Sequence, residues 1–215
     1  MQTSRSVVIN AAGIGSRIGA GKPKSLIELH GKPIIQWQLE QLTHVSEVIV
    51  VVGFEARTMI QLIHSLRKDV SIVVNHEYKS TGTAASLSLG STIGGDRVIS
   101  LDGDLLVRTK DLERFINSDF DLLGITSTES ITPVFAELAN DCVTEFSFSK
   151  KSDFEWSGLV SLSKSASIEL GRGHVFEGLL NFLPMRFAEI SCVEIDEPSD
   201  ILKAEKWLRD GKLYE

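Results

Sequence analysis

Three stretches of this 215-residue chain concentrate side chains able to do chemistry. The first, residues 10–33, is rich in glycine and carries cations: Gly13, Gly15, Gly19 and Gly21 interleave with Ser16, Arg17, Lys22 and Lys24. Such a loop after a strand lets backbone N–H groups approach phosphate oxygens closely, while the cations meet their charge. The second stretch is Asp102-Gly103-Asp104; the third is Glu194-Ile195-Asp196, with Asp200 four residues on. Both offer carboxylates, the hard oxygen donors that hold the Mg²⁺ a triphosphate brings with it. On the residues alone each acidic stretch keeps a second reading. Asp102 and Asp104 suit a solvated strand-end turn, and Asp196 and Asp200 suit charge compensation at a helix N-terminus.

The glycine loop can be tested against three phosphate-binding forms. The GxxxxGK[ST] form fails, because Pro23 follows Gly21-Lys22 and Ser16 stands five residues before Gly21. The GxGxxG form puts Ile18 at its third glycine, and Gly19, Gly21 and Pro23 delay the helix that form requires. The third form, a loop that wraps a triphosphate with cations inside it, fits. Arg17 can grip phosphate oxygens with two donors, and Lys24 adds a point charge.

These groups need a scaffold, and the apolar pattern supplies one. Val7–Asn10, Glu47–Val52, Val70–Val74, Val98–Leu101 and Asp121–Ile125 read as strands. Between them Pro33–Leu42, Ala56–Leu66, Thr83–Leu89 and Thr109–Ile116 read as helices. Buried strands alternating with helices imply a mostly parallel sheet covered on both faces. Val134–Leu138 and Val143–Phe148 flank Ala139-Asn140-Asp141 and suggest a hairpin. Trp156–Leu162 and Ala188–Ile195 read as strands, His174–Leu183 and Pro198–Leu208 as helices, with Gly211 beyond the last. The expected fold is an α/β, Rossmann-like three-layer α/β/α sandwich. Its sheet is mixed and mostly parallel, with a small β-hairpin lobe near 133–150, and residues 1–215 form a single domain.

Charge and composition narrow the function. A net charge of −7 with no Lys/Arg run argues against a general nucleic-acid binder. No apolar stretch reaches the roughly 18 residues of a membrane span, and the N-terminus does not read as a signal peptide. Cys142 and Cys192 lack a CxxC spacing and read as free thiols of a reducing cytoplasm. The five histidines show no ligand spacing, and no GxSxG elbow supports acyl-enzyme chemistry. An NAD enzyme would want an acid ending the second strand, where Glu55 is the sole candidate.

Ala11-Ala-Gly-Ile-Gly-Ser-Arg17 with Pro23-Lys24 resembles the signature of the nucleotidyltransferase superfamily, whose members join an NTP to a phosphorylated acceptor. That superfamily includes sugar-1-phosphate nucleotidylyltransferases, molybdenum-cofactor guanylyltransferases and cytidylyltransferases acting on phosphocholine-like or aminoethylphosphonate-like acceptors. The later motifs fall in the expected order along the chain, and the ending Glu194-Ile195-Asp196 is similar to that of the cytidylyltransferase branch. The resemblance implies Arg17 and Lys24 as catalytic cations, and Asp104 and Asp196 as Mg²⁺ ligands. It implies a nucleotide held by Ala11, Ala12, Gly13, Gly15, Ser16, Gly82, Thr83, Ser86 and Asp102. Glu194 alternates to the other strand face and is set aside as a ligand. Trp156 and Glu177 fall where relatives carry acceptor-side residues; an aromatic face there could hold a quaternary ammonium, while a core position also suits Trp156. Asn10 stands where relatives carry an apolar residue. CTP is the implied donor and a small phosphorylated or phosphonate compound the acceptor. The alternatives are another NTP with a sugar-1-phosphate or molybdopterin acceptor, and a catalytically silent nucleotide-binding regulator. The resemblance also allows a homodimer.

Overall fold

The computed structural model describes residues 3–15, 18–19 and 21–215. Strand β1 (Arg5–Ala11) leads into the glycine loop, which closes in a 3-10 turn at Lys24–Leu26. A small ribbon, β2 (Glu28–Leu29) and β3 (Lys32–Pro33), precedes α1 (Ile34–Gln41). Then follow β4 (Val48–Val52), α2 (Ala56–Leu66), β5 (Ser71–Val74) and α3 (Thr83–Ile93). The middle of the chain forms β6 (Arg97–Asp102), β7 (Leu105–Val107), α4 (Thr109–Ile116) and β8 (Leu122–Ser127). The hairpin β9 (Phe135–Ala139) and β10 (Cys142–Ser147) comes next, then β11 (Phe154–Ser163), α5 (Lys164–Ile168) and α6 (Val175–Leu179). β12 (Met185–Glu189), β13 (Cys192–Glu194) and α7 (Pro198–Arg209) close the chain.

Among the described residues the main sheet has the order β5-β4-β1-β6-β11-β8-β12-β10-β9. β1 pairs in parallel with both β4 and β6, and β12 in parallel with β8. β11 runs antiparallel between β6 and β8. The sheet is therefore mixed and mostly parallel, as the alternating pattern predicts. Val7, Val8 and Ile9 are fully buried, and so are Ile49 to Val52, because helices cover both faces. Strand alternation sends Val7, Ile9 and Ala11 into the layer under α1, α2 and α4, and Val8 and Ala12 into the layer under α3, α5 and α6. A third apolar cluster seats α7 through Trp207 and Ala204 against Ile195, Leu106, Leu29 and Ile34. The hairpin forms with Asn140 and Asp141 both at positive φ, 51° and 60°, as a two-residue primed turn requires. It lies at the far edge of the sheet.

Three expected elements differ. Ala188–Ile195 is not one strand: β12 stays in the main sheet, while β13 leaves it to pair antiparallel with β7. The break at Ile190-Ser191 is held by Ile190 N–H on the Ile125 carbonyl (2.9 Å) and Ser191 N–H on Asp111 Oδ2 (2.9 Å). The helix expected over His174–Leu183 covers only Val175–Leu179. Beyond it Asn181 and Phe182 donate to Gly178 and Leu179, three residues back, and Pro184 restricts Leu183 and cannot donate. α3 runs past Leu89 to Ile93. β7, the β2–β3 ribbon and α5 carry too few residues to show a period. Among the described residues no helix is long and apolar enough to cross a membrane, and both cysteines are free.

Phe115, on α4, is the largest fully buried side chain and fills the layer beneath β1 and β6. Phe115→Ala should destabilise the fold by about 3–5 kcal/mol, read as a lowered denaturant midpoint at unchanged slope. An unchanged midpoint would contradict the packing described.

Candidate functional site

The site is built at the carboxyl ends of β1 and β6, the edge where open α/β sheets bind ligands. β1 ends at Asn10-Ala11 and β6 at Asp102, in register with each other. Past β6 the chain turns sharply through Gly103. Its N–H donates to the Asn10 carbonyl (3.1 Å), and a Cβ at Gly103 would come within 2.6 Å of Ser25 Oγ. Glycine is therefore the residue this turn accepts. Ser25 Oγ donates to the Gly103 carbonyl at 2.7 Å and clamps the turn after the glycine loop to the Asp-Gly-Asp turn. Gln38 supports the same corner from α1. It is fully buried, and its Nε2 donates at 2.8 Å to the carbonyls of both Asp102 and Leu105.

Three remote segments meet over this corner. Lys24 Nζ donates to Asp104 Oδ2 at 2.6 Å and also to Asp196 Oδ1. Ile195 N–H donates to the Asp104 carbonyl at 3.0 Å, so the backbone entering α7 is fastened to the β6–β7 turn. Asp200, in the first turn of α7, accepts from the N–H groups of Asp196 and of the N-cap residue Glu197 and so completes a capping box. Carboxylate oxygens of Asp104, Glu194 and Asp196 all lie within 4.8 Å of one another. Glu194 had been set aside on strand alternation, and that reading is corrected. Residues two apart share a strand face, so alternation itself keeps Glu194, at the end of β13, on the side of Asp196.

The charges are strongly coupled. Burial alone would lower the proton affinity of Lys24; the charges and hydrogen bonds of Asp104 and Asp196 outweigh it and hold the ammonium well above the ordinary lysine range. Burial, then the charge of Asp104, pushes the Asp102 carboxyl up to about 7, against an opposing hydrogen bond from Asn10 and the charge of Lys24. Glu194 reaches solvent through the cleft mouth. Even so, the surrounding protein, and then the charges of Asp104, Asp196 and Asp102, hold its carboxyl well above the usual range.

These groups line a cleft of about 1020 Å³. Ala11, Gly13, Gly15, Lys24, Thr83, Asp102, Asp104 and Asp196 are on its wall, as are Trp156 and Glu177. Gly15, at φ +67°, lies against the Lys24 stem, where a Cβ would meet Cγ at 2.9 Å. Ser16 and Arg17 lie outside the described residues. Ala12, Gly82 and Ser86 do not reach the wall. The start of α3 is covered instead by the segment before α6. Gly82 N–H donates to the Arg172 carbonyl (2.8 Å), Ala84 N–H to that of Gly173 (3.0 Å), and Val175 N–H to Thr83 Oγ1 (3.1 Å). Ser86 is buried and accepts from Asn75 Nδ2 at 3.1 Å.

On the far side of the cleft Trp156 is half-buried, edge-on to Phe146 at 6.0 Å. Phe146 and Phe148 in turn meet Phe176 edge-on, which stacks on His174. Glu177 Oε2 accepts from His174 N–H at 2.8 Å, so this carboxylate caps α6. Two cleft residues were given no role from the sequence. Glu155, on β11, is buried, and its Oε1 accepts from Glu129 N–H (2.9 Å), Ser130 N–H (3.1 Å) and Ser130 Oγ (3.0 Å), which fixes the loop above. Asn10 donates to Ser100 Oγ (2.9 Å) and Asp102 Oδ1 (3.3 Å); its one signal was polarity where an apolar strand end was expected.

Residues 7–141 match the model of the MobA-like NTP transferase domain. The bifunctional protein GlmU of Methanococcus vannielii is 30% identical over 213 residues, which cover 96% of this chain and 48% of that one. GlmU of Campylobacter curvus is 36% identical over 119 residues, 54% of this chain and 27% of the relative. The chain thus spans about half or less of the length of these curated relatives. Among solved structures, the inositol-1-phosphate CTP transferase from T. maritima superposes with a TM-score of 0.78 at 15% identity, over 97% of this chain and 96% of that one. The CTP:phosphocholine cytidylyltransferase from Streptococcus pneumoniae gives 0.75 at 20% identity, over 95% and 99%. At such identities the likeness is one of fold.

Gln38→Leu leaves the Asp102 and Leu105 carbonyls without their donor. It should cost about 1–3 kcal/mol for each unsatisfied buried group, measured by denaturant unfolding. A variant as stable as the parent would show that Gln38 does not hold this corner.

Proposed function

The chain belongs to the MobA-like NTP transferase domain family, and from that premise we propose that it is a nucleotidyltransferase working at the Lys24–Asp104–Asp196 convergence. An acceptor phosphate or phosphonate oxygen attacks the α-phosphorus of an NTP in line. The new P–O bond forms as the bond to the β-phosphate oxygen breaks, and pyrophosphate leaves. The acceptor is already anionic, so no covalent enzyme intermediate is needed.

The carrying observation is that a half-buried lysine and three carboxylates from segments far apart in sequence share one small volume at the strand ends. Three hard oxygen donors within 4.8 Å fit a divalent cation such as Mg²⁺. Asp104, Asp196 and Glu194 would hold it. When bound, such an ion neutralises charge on the phosphates and orients them. Gly13 and Gly15 line the place where phosphates can lie close to backbone. Lys24, and in our reading Arg17, stabilise charge developing on the transferring and leaving phosphates. Asn10 and the Ser25–Gly103 clamp hold Asp102 and Asp104 in place.

We assign CTP as donor. The Glu194-Ile195-Asp196 ending supports this, as does the likeness in fold to two proteins described as a CTP transferase and a cytidylyltransferase. The acceptor enters from the Trp156 side, where Phe148, Trp156 and Phe176 supply aromatic faces and Glu155 and Glu177 anchor the backbone. We take the chain as one nucleotidyltransferase unit acting in the cytoplasm.

The test is pyrophosphate release with Mg²⁺, each of CTP, UTP, GTP, ATP and dTTP being tried against phosphocholine, aminoethylphosphonate, glycerol phosphate and several sugar-1-phosphates. Release with CTP and one acceptor is expected, and chelation of the metal should abolish it. Release with another NTP and a sugar-1-phosphate would keep the chemistry and overturn the donor. Asp104→Ala and Lys24→Ala should each cut the rate by roughly 10² or more with the fold intact; near-normal turnover in both would overturn the site. Trp156→Ala should raise the acceptor KM while leaving that of the nucleotide unchanged. Equal changes in both would remove Trp156 from the acceptor side.

A further inference from the structure

We propose that Lys24 is the resident counter-ion of the acidic site and keeps a divalent cation out until a nucleotide draws the ammonium away. The identity of the anion that draws it rests on the transfer reading above; the exclusion itself does not.

Ammonium and metal ion compete for one small volume. Lys24 Nζ donates to Asp104 and Asp196, two of the three carboxylates that would hold a metal. An ammonium hydrogen-bonded to carboxylates sits roughly 2.7–2.9 Å from their oxygens. A magnesium ion needs about 2.0–2.1 Å from oxygens of the same carboxylates. One point between Asp104 and Asp196 cannot serve both. A divalent ion placed beside the ammonium would also meet unscreened repulsion, because the Lys24 side chain is only 16% exposed. Ammonium and metal ion are therefore alternative occupants.

The surroundings allow the exchange. The backbone at Lys24 is fixed by the 3-10 turn and by the neighbouring Ser25–Gly103 clamp. Movement is left to the four-carbon stem, which is flexible and carries its charge at the tip. That stem rests on Gly15, and Gly13 and Gly15 line the same cleft. A triphosphate entering there brings anionic oxygens that compete with the two carboxylates for the ammonium. Once Lys24 has turned to the phosphates, its place between Asp104 and Asp196 can be taken by a metal ion. Nucleotide and metal then favour each other's binding, and the coupling is reciprocal. A free protein holding Lys24 in this seat does not waste its acidic site on whatever divalent ion is abundant.

The experiment is a Mn²⁺ titration of the full chain without nucleotide, followed by electron paramagnetic resonance of the free ion. Lys24→Met should bind Mn²⁺ at least about tenfold more tightly than the parent, since one competing charge is gone from the seat. Lys24→Arg, which keeps the charge, should bind as weakly as the parent. Adding Asp104→Asn to Lys24→Met should remove the gain and so locate the ion. Parent and Lys24→Met binding Mn²⁺ equally would overturn the proposal. A second measurement needs no variant: NMR of lysine ammonium groups in the parent protein. The Lys24 signal should move when CTP is added without metal and stay in place when Mg²⁺ is added alone. Release of the ammonium by Mg²⁺ alone would overturn the exclusion. If Lys24→Met gains Mn²⁺ affinity and CTP leaves the ammonium unmoved, the exclusion stands and the transfer reading fails.

Discussion

A half-buried ammonium must have its charge answered nearby, and in this protein the demands of Lys24 organise the strand-end edge. Removing one partner of such a pair leaves an uncompensated charge. Lys24, Asp104 and Asp196 are separated by 80 and 92 residues of chain, yet one nitrogen touches both carboxylates. Everything around them serves that meeting. The 3-10 turn aims Lys24, Ser25 clamps it to Gly103, Gln38 holds the β6–β7 corner, and Ile195 N–H fastens the approach to α7.

The consequence is a site divided between two halves of the chain. The stretch that matches the family model, residues 7–141, carries the glycine loop, Lys24 and Asp104. Glu194 and Asp196 come from β13 and the turn beyond it, which leaves the main sheet to pair with β7. That departure is what brings the late acids over the early ones. Phe148 just after the hairpin, Trp156 on β11 and Phe176 on α6 then line the opposite side of the cleft, beside the loop held by Glu155. The charge centre and the aromatic side of the cleft are thus made by different segments.

How much of this could be read beforehand depends on whether the cause is local. The parallel core was legible because Val7–Ile9 and Val48–Val52 are buried on both faces and so form unbroken apolar runs. The primed turn at Asn140-Asp141 was legible because those residues tolerate positive φ. Lys24, Asp104 and Asp196 were legible as candidates because a glycine-rich loop with cations and two strand-end acidic stretches occur together in one chain, in the order the family resemblance implies. Glu194 lies two residues from Asp196, the spacing that shares a strand face, so alternation supports it beside Asp196 and does not set it aside. Gly82 and Ser86 were placed at the nucleotide, but their bonds go to Arg172 and Asn75, partners that only the tertiary fold supplies. Gln38 and Glu155 look like ordinary polar residues until the carbonyls and N–H groups they serve are known.

The central claim is that this charge centre is where a nucleotide and a divalent ion meet. Anomalous diffraction from crystals grown with CTP and Mn²⁺ addresses it directly. The account predicts a manganese peak bound by Asp104 and Asp196, with Lys24 turned from both carboxylates to the phosphates. A nucleotide bound elsewhere, or a manganese peak away from these acids while Lys24 still bridges them, would contradict it.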